Sequence, residues 1–187
     1  PLDIAADLLK QHEKVIFNGN GYDPNWPDDA VKRGVWRIDS GVDAIDQLDS
    51  AKNVAMFEKV GVFSGTELKA RKSVLLGYYT GVVEMEALTM IDMINKHVIP
   101  SVKKADIGNP NKLADGCKAL KKSISKIHAE EDDTKAAQMA RVLRLETMAE
   151  IRKVCDDFES KCPADLWTLA TYDELLFLDT FPESEMW

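Results

Sequence analysis

The stretch from Ser64 to Pro100 constrains the fold more than any other part of the chain. Ser64 and Glu67 have the spacing of a capping box, in which a hydroxyl and a carboxylate three residues later satisfy the first N–H groups of a helix. No proline intervenes before Pro100, so the pattern predicts one helix of about 55 Å at 1.5 Å per residue. Apolar residues recur along it at helical intervals, namely Leu68, Leu75, Tyr79, Val82, Met90 and Met93, widened by Val83, Ala87 and Ile94. A helix with this stripe must pack against partners along much of its length.

Two further long helices follow. Asn109-Pro110 begins one of them, and its apolar seam has coiled-coil spacing at Leu113, Cys117, Leu120, Ile124 and Ile127. The acidic run at 130–133 caps the other, which we expect over 134–161 until Pro163 stops it. Its stripe comprises Ala136, Ala140, Leu143, Thr147, Ile151, Val154 and Phe158. Three long helices joined by short turns predict a mainly α fold, an antiparallel helical bundle built on the helix at about 64–100.

The chain is expected to have three parts. Residues 1–63 form an irregular, turn-rich segment with short helices, which begins with an amphipathic helix over 2–13. Residues 64–162 form the three-helix bundle, and residues 163–187 form an aromatic C-terminal tail. Because a free tail of this composition would expose a large apolar patch, we expect it to dock on the bundle or on a neighbouring chain.

Composition narrows the possible partners and compartments. The formal net charge is −8, from 24 basic and 32 acidic residues, which argues against nucleic acid as a partner. No apolar run is long enough to predict membrane insertion, and the start of the chain has no secretory signal. Three cysteines without a CxxC pair favour a reducing compartment. We expect a cytoplasmic protein, with the plastid stroma as the alternative.

The start of the chain leaves its completeness open. Pro1 is not preceded by Met, and the first helix begins in the middle of its apolar pattern. Either Met has been removed or the chain is a piece of a longer one, and the abrupt pattern favours the second explanation.

No catalytic, cofactor-binding or metal-binding motif is visible. His97 and His128 lack the glutamate three residues earlier that a di-iron bundle needs, and His12 has no ligand at metal-site spacing. The turn at 18–22 has neither a GxGxxG nor a P-loop pattern, so we interpret it as structural rather than phosphate-binding. The cysteines occupy helical positions, and we interpret Cys117, which lies in the seam, as a core residue.

Glu86 is the one carboxylate that stands out. It lies between Val82 and Met90 on the apolar stripe of the long helix. A carboxylate in such a position needs a partner, such as Arg141, Arg144 or Arg152. We favour a structural ion pair over a catalytic role.

Several blocks of the sequence resemble, in order and spacing, the blocks of one known enzyme family. They are Val-Ile-Phe-Asn-Gly-Asn-Gly-Tyr at 15–22, Ala-Val-Lys-Arg-Gly at 30–34, Lys-Asn-Val at 52–54, Val-Phe-Ser at 62–64 with Glu67, Leu68 and Arg71, Glu-Ala-Leu-Thr-Met-Ile-Asp-Met at 86–93 ahead of Ile99-Pro100, and Thr-Tyr-Asp-Glu-Leu-Leu-Phe at 171–177. Together they resemble the C-terminal region of type III glutamine synthetases, and the block at 86–93 is the most specific. The resemblance implies that the chain begins at the last helix of the catalytic part, so that residues 1–63 comprise the end of the catalytic-core helix and the turn-rich segment. Between about 103 and 162 the resemblance is only to a helical, variable region.

The resemblance implies an activity for a parent protein. That family joins ammonia to glutamate with ATP through a γ-glutamyl phosphate, using Mg²⁺ or Mn²⁺, and assembles as stacked rings that are typically dodecamers. The motifs that carry this chemistry lie upstream in the family, so no catalytic, cofactor or metal residue is carried over to this chain. The implied partners are the upstream catalytic domain and the neighbouring subunits of a homo-oligomer.

Two interpretations stay open at this point. In the first, the chain is the non-catalytic C-terminal region of a glutamine synthetase, which completes the fold and supports ring assembly. In the second, it is a stand-alone helical interaction or scaffold subunit of a larger complex without ligase activity. An autonomous enzyme has little support.

Overall fold

The computed structural model describes residues 2–177, which fold into helices and connecting turns without a β-strand. The helices are α1 (Leu2–Gln11), α2 (Trp26–Lys32), α3 (Gly41–Asp46), α4 (Ala51–Lys59), the long α5 (Gly65–Ala105), α6 (Asn111–His128), α7 (Asp133–Val142, Leu143–Met148 and Ala149–Glu159) and the short α8 (Tyr172–Leu176). Single 3₁₀ turns lie at Glu13–Val15 and Ala164–Leu166. The prediction of a mainly α fold is confirmed.

The predicted capping box begins α5. The backbone N–H of Glu67 donates to Ser64 Oγ (3.3 Å), and the N–H of Ser64 donates to Glu67 Oε2 (2.8 Å). These hydrogen bonds favour the ionised carboxylate and lower the pKa of Glu67. At the other end the helix passes Pro100 and stops at Asp106, whose left-handed backbone (φ 52°) turns the chain.

A π-helical turn precedes Pro100 within α5. Over Ile94–Val98 the helix widens, and the N–H of Ile99 donates to the carbonyl of Ile94, five residues earlier. Proline lacks an N–H, and its ring clashes with the carbonyl four residues before it in a regular α-helix. The wider turn accommodates Pro100 without ending the helix.

The bundle consists of α5, α6 and α7, with successive helices antiparallel. The starts of α5 and α7 lie together, because Ser73 donates a hydrogen bond to Asp133. Their ends also lie together, because the ring of Phe158 is beside Gly108. Helices α5 and α7 are therefore parallel, and α6, which connects them, runs in the opposite direction. The predicted seam of α6 is confirmed, because Leu113, Cys117, Leu120, Ile124 and Ile127 are all buried. The predicted stripe of α7 is confirmed as well, with Ala136, Ala140, Leu143 and Ile151 buried and the others half-buried.

The buried face of α5 differs from the prediction at two positions. Leu75 and Met93 were expected in the core, but each is 41% exposed. The side chains that are buried instead include Leu76, Ile91 and Ile94. Apolar residues lie on every side of α5 between 74 and 94, so the spacing fits more than one face. The position of the partner helices decides which face is covered.

The N-terminal segment docks on the bundle through α3. Val42 of α3 forms a small buried cluster with Leu76 of α5 and Ala137 of α7. Polar contacts surround this cluster: Gln138 Nε2 donates to Asp43 Oδ1 (2.6 Å), and Lys72 Nζ lies 2.8 Å from Asp46 Oδ1. Hydrogen bonds from Ser40 and Gln138 lower the pKa of Asp43.

The tail docks on the bundle over its first half. Trp167 and Leu169 pack against the main core, and between them Thr168 Oγ1 lies 2.9 Å from His97 Nδ1 of α5. Leu175 and Leu176 are exposed. The predicted docking is therefore seen for Trp167 and Leu169, and the part of the prediction that covers 178–187 lies outside the described residues.

The expectation that no segment is long and apolar enough to span a membrane needs correction. By length and composition alone, α5 is apolar enough to cross a membrane. The same test is passed by core helices of soluble proteins, so it is weak evidence. One face of α5 is covered by α6 and α7, which is the arrangement of a bundle helix.

We predict that Leu120→Ala lowers the free energy of unfolding by about 2–5 kcal/mol, since Leu120 is fully buried and its truncation leaves a cavity. Urea denaturation followed by circular dichroism measures the change. The exposed Lys122→Ala on the same helix is the control and should change stability by less than about 0.5 kcal/mol. Equal effects of the two variants would contradict the assigned seam.

We predict that the protein loses stability as the pH falls below about 4, the ordinary range of a carboxyl group. The pKa of Asp43 is lower in the folded state than in the unfolded state, so its ionised carboxylate stabilises the fold. This contribution is fully present above the unfolded-state pKa and is lost as the pH falls through the folded-state pKa. Denaturant midpoints measured across this window should fall less steeply for Asp43→Asn than for the unaltered protein. Asp7→Asn, at an exposed position of α1, should leave the slope unchanged.

Candidate functional site

The three histidines lie in separate places. His97 contacts the tail, His128 Nε2 lies 2.9 Å from Glu84 Oε1 of α5, and His12 is exposed after α1. Among residues 2–177, no three His, Cys, Asp or Glu side chains are grouped so that they could hold a metal ion. This part of the chain does not fit the divalent metal that the resemblance implies for the parent protein.

The Asn-Gly turn between α1 and α2 is built on an aromatic pair. Phe17 stacks on Trp26 with ring centroids 3.6 Å apart, and the N–H of Tyr22 donates to Asn20 Oδ1 (3.0 Å). A Cβ added to Gly19 would lie 2.8 Å from the Phe17 ring, so the glycine allows this close approach. These contacts support the structural interpretation of the turn.

Glu86 is paired with one of the three arginines that the sequence suggested as its partner. Arg144 of α7 binds it with two parallel contacts, Nε to Oε2 (3.0 Å) and Nη2 to Oε1 (3.1 Å). Both side chains are about one-third to two-fifths exposed, so the pair is half-buried rather than in the core. The geometry is that of a bidentate structural ion pair between α5 and α7.

Two of the thiols, those of Cys117 and Cys155, are poor nucleophiles. Burial raises the pKa of Cys155 to about 11 and also raises the pKa of Cys117 above its usual value. All three cysteines, Cys162 included, are free. A thiol with a raised pKa is protonated at neutral pH and is therefore unreactive.

Two shallow grooves lie on the surface of the bundle. One, of about 340 Å³, runs between α6 and α7 past Ile127, Met139 and Leu143. The second, also of about 340 Å³, lies between the start of α6 and the end of α7, near Lys112 and Phe158. Neither contains a cysteine or histidine in its lining, so the grooves do not offer a thiol nucleophile or an imidazole base.

The features that do stand out are uncovered apolar helix faces. One lies on α1, where Leu2, Ile4, Leu8 and Leu9 are all exposed. The sequence predicted this amphipathic helix, but within residues 2–177 its apolar side packs into no core cluster. Exposed apolar patches of this kind are typical of surfaces that contact another protein, a membrane or a ligand.

The second uncovered surface is the outer face of α5, defined here as Val74, Gly77, Tyr78, Gly81, Met85 and Leu88. The exposed fractions are 70% for Val74, 72% for Tyr78, 60% for Met85 and 49% for Leu88. At about 100° per residue these six positions share one side of the helix, opposite the buried side. Our sequence-based stripe did not include them, although their spacing of three, four and seven residues is a helical signal.

Comparison with known proteins gives the same family as the sequence blocks. The profile described as "Glutamine synthetase C-terminal domain" matches residues 2–121. The "Glutamine synthetase" of Butyrivibrio fibrisolvens is 30% identical over 204 aligned residues, which cover 94% of this chain. The "Type-3 glutamine synthetase" of Dictyostelium discoideum is 25% identical over 94% of the chain. The "Glutamine synthetase" of Bacteroides fragilis (strain YCH46) is 24% identical over 98% of it.

These relatives are much longer than this chain. The aligned part is 29% of the Butyrivibrio protein, 28% of the Dictyostelium protein and 27% of the Bacteroides protein. The family profile, in contrast, covers well over half of the chain and includes α1 to α5 and most of α6. The resemblance of the sequence blocks to type III glutamine synthetases is confirmed, and the chain belongs to the glutamine synthetase C-terminal domain family.

Proposed function

We propose that this chain is the non-catalytic C-terminal helical region of a glutamine synthetase, where it completes the fold and contributes to assembly of the subunits into a ring. Family membership supports the first part, because the chain corresponds to less than a third of each relative. The observation that carries the second part is the pair of uncovered apolar surfaces on α1 and α5. Apolar helix faces are normally covered by packing, so both surfaces call for a partner.

The parent protein would join ammonia to glutamate with ATP and a divalent metal. We assign this chemistry to the part of the parent that precedes these residues, since the described residues offer no cluster of metal ligands. Glu86 is tied to Arg144, and burial keeps the thiols of Cys117 and Cys155 protonated. The isolated chain is therefore expected to form no glutamine.

The proposed partners are the catalytic part of the same polypeptide and neighbouring copies of it, in a homo-oligomer that we expect to be a dodecamer. The proposed location is the cytoplasm, with the plastid stroma as the alternative. Three free thiols in the described structure suit the reducing conditions of either compartment.

Denaturing mass spectrometry of the natural protein tests this proposal. A mass several times 20.9 kDa, together with ATP-dependent glutamine formation by that whole protein, is the expected result. A natural protein near 20.9 kDa would overturn it and would favour the stand-alone interaction subunit. The self-contained core of the three-helix bundle is the feature that such a subunit would use.

We predict that Glu86→Gln leaves the kcat for glutamine formation by the whole protein within about twofold and lowers stability by less than about 1 kcal/mol. The physical reason is that half-exposed ion pairs contribute about 0.2–1 kcal/mol. Arg144→Gln breaks the same pair from the other side and should match it in both assays. A loss of kcat of a hundredfold or more for Glu86→Gln alone, with unchanged melting temperature, would assign Glu86 to catalysis.

A further inference from the structure

We propose that the outer face of α5 pairs with the outer face of α5 in a second copy of the chain, with the two helices antiparallel. This pairing rests on the proposed role in subunit assembly and names the surface that would perform it. In a two-fold symmetric contact the same residues occur on both sides, so the face must be complementary to itself.

The middle of the outer face is apolar and accessible. From Val74 to Leu88 it extends for about 21 Å at 1.5 Å per residue, and it includes no charged residue. The acidic residues of this stretch, Glu84 and Glu86, project to either side of the face, where His128 and Arg144 of the other bundle helices engage them. The bundle therefore withdraws the charges from this face and leaves its apolar groups exposed.

The centre of the face permits close approach of a second helix. A Cβ built at Gly77 or Gly81 would meet no other atom within 4 Å, so both glycines open on a free surface. Each glycine costs about 1 kcal/mol of helix stability relative to alanine. Without side chains at these two positions, a partner helix can approach at the short end of the usual 8–10 Å interaxial distance.

The charges at the ends of the face identify the partner as a second copy. Glu67 and Arg71 lie at one end of the outer side of α5, and Asp92 and Lys96 lie at the other end. Lys96 Nζ is 2.8 Å from Asp92 Oδ1, which shows that these two groups share one side of the helix. The pattern is acid then base at each end of the apolar stretch.

An antiparallel pair of such helices brings opposite charges together. When Arg71 faces Asp92 of the second copy, Glu67 faces Lys96, and Tyr78 faces Met85. The two-fold axis then passes beside Gly81, and each of these contacts occurs twice. In a parallel pair, each charged residue would face the identical residue of the second copy, so like charges would meet. A shallow crossing of about 20° keeps both ends of the helices in contact.

Lysine at Gly81 tests whether this face associates. The 187-residue chain should dimerise in a sedimentation-velocity concentration series, and Gly81→Lys should remain monomeric over the same range. Lysine favours the helix over glycine, so the melting temperature should rise when the two proteins are compared at a concentration where both are monomeric. Ser125→Lys, at an exposed position of α6, is the matched control and should still dimerise. An unaltered chain that is monomeric throughout, or a Gly81→Lys variant that dimerises normally, would overturn the proposal.

Charge reversal tests the antiparallel orientation. Arg71→Glu alone and Asp92→Lys alone each create like-charge contacts in a self-pair, so each should raise the dimer dissociation constant at least about tenfold. An equimolar mixture of the two variants restores both contacts, because the new Glu faces the new Lys and the original Asp faces the original Arg. Recovery of dimer on mixing is the expected result. Failure to recover, with both variants folded, would contradict this orientation.

The whole protein separates this inference from the proposed function. If the natural protein forms a large assembly and Gly81→Lys reduces its size, both are supported. If the assembly is unchanged by Gly81→Lys, the outer face of α5 is not the contact, and the role in assembly would belong to another surface such as α1. If the natural protein is a monomer, the proposed role in assembly fails by itself.

Discussion

The structure depends on the burial of one side of α5 against α6 and α7. Leu76, Val83, Ala87 and Ile94 on that side are almost completely removed from water, and the seams of the other two helices converge on them. The N-terminal segment adds a second, smaller contact, in which Val42 packs against Leu76 of the same helix. Helices α3, α4, α6 and α7 and the start of the tail all contact this helix, so it positions most of the fold.

The same helix carries apolar surface that the bundle leaves uncovered. Its apolar residues cover more of its circumference than the bundle buries, and the acidic side chains beside the uncovered part are paired with α6 and α7. Helix α1 presents a second apolar side to solvent. Membership of the glutamine synthetase C-terminal domain family gives both surfaces a context, because the relatives extend far beyond the matched region. The proposed role, that of a domain supplying helices and contact surfaces, rests on these two surfaces.

Local sequence signals predicted most of the fold, and long-range contacts determined the rest. The cap at Ser64 and the seam through Leu113 and Leu120 are set by residues close in sequence, so their spacing was sufficient. Spacing alone did not decide whether Leu75 or Leu76 is the core residue, because both fit a helical stripe and only the partner helices distinguish them. The sequence left three arginines as candidate partners of Glu86, and the structure shows that Arg144 is the partner. The outer face was missed because one stripe had already been assigned to this helix.

The most direct test of the central claim, that α5 is covered on both sides in the functional protein, is oxidative footprinting of Tyr78 and Met85. Both side chains are largely exposed in the chain described here, as is Trp36, which serves as the internal reference. The rates of hydroxyl-radical oxidation are compared between the 187-residue chain diluted to monomer and the assembled natural protein. We predict strong protection of Tyr78 and Met85 in the assembly, with Trp36 unchanged. Equal oxidation rates in the two samples would contradict it.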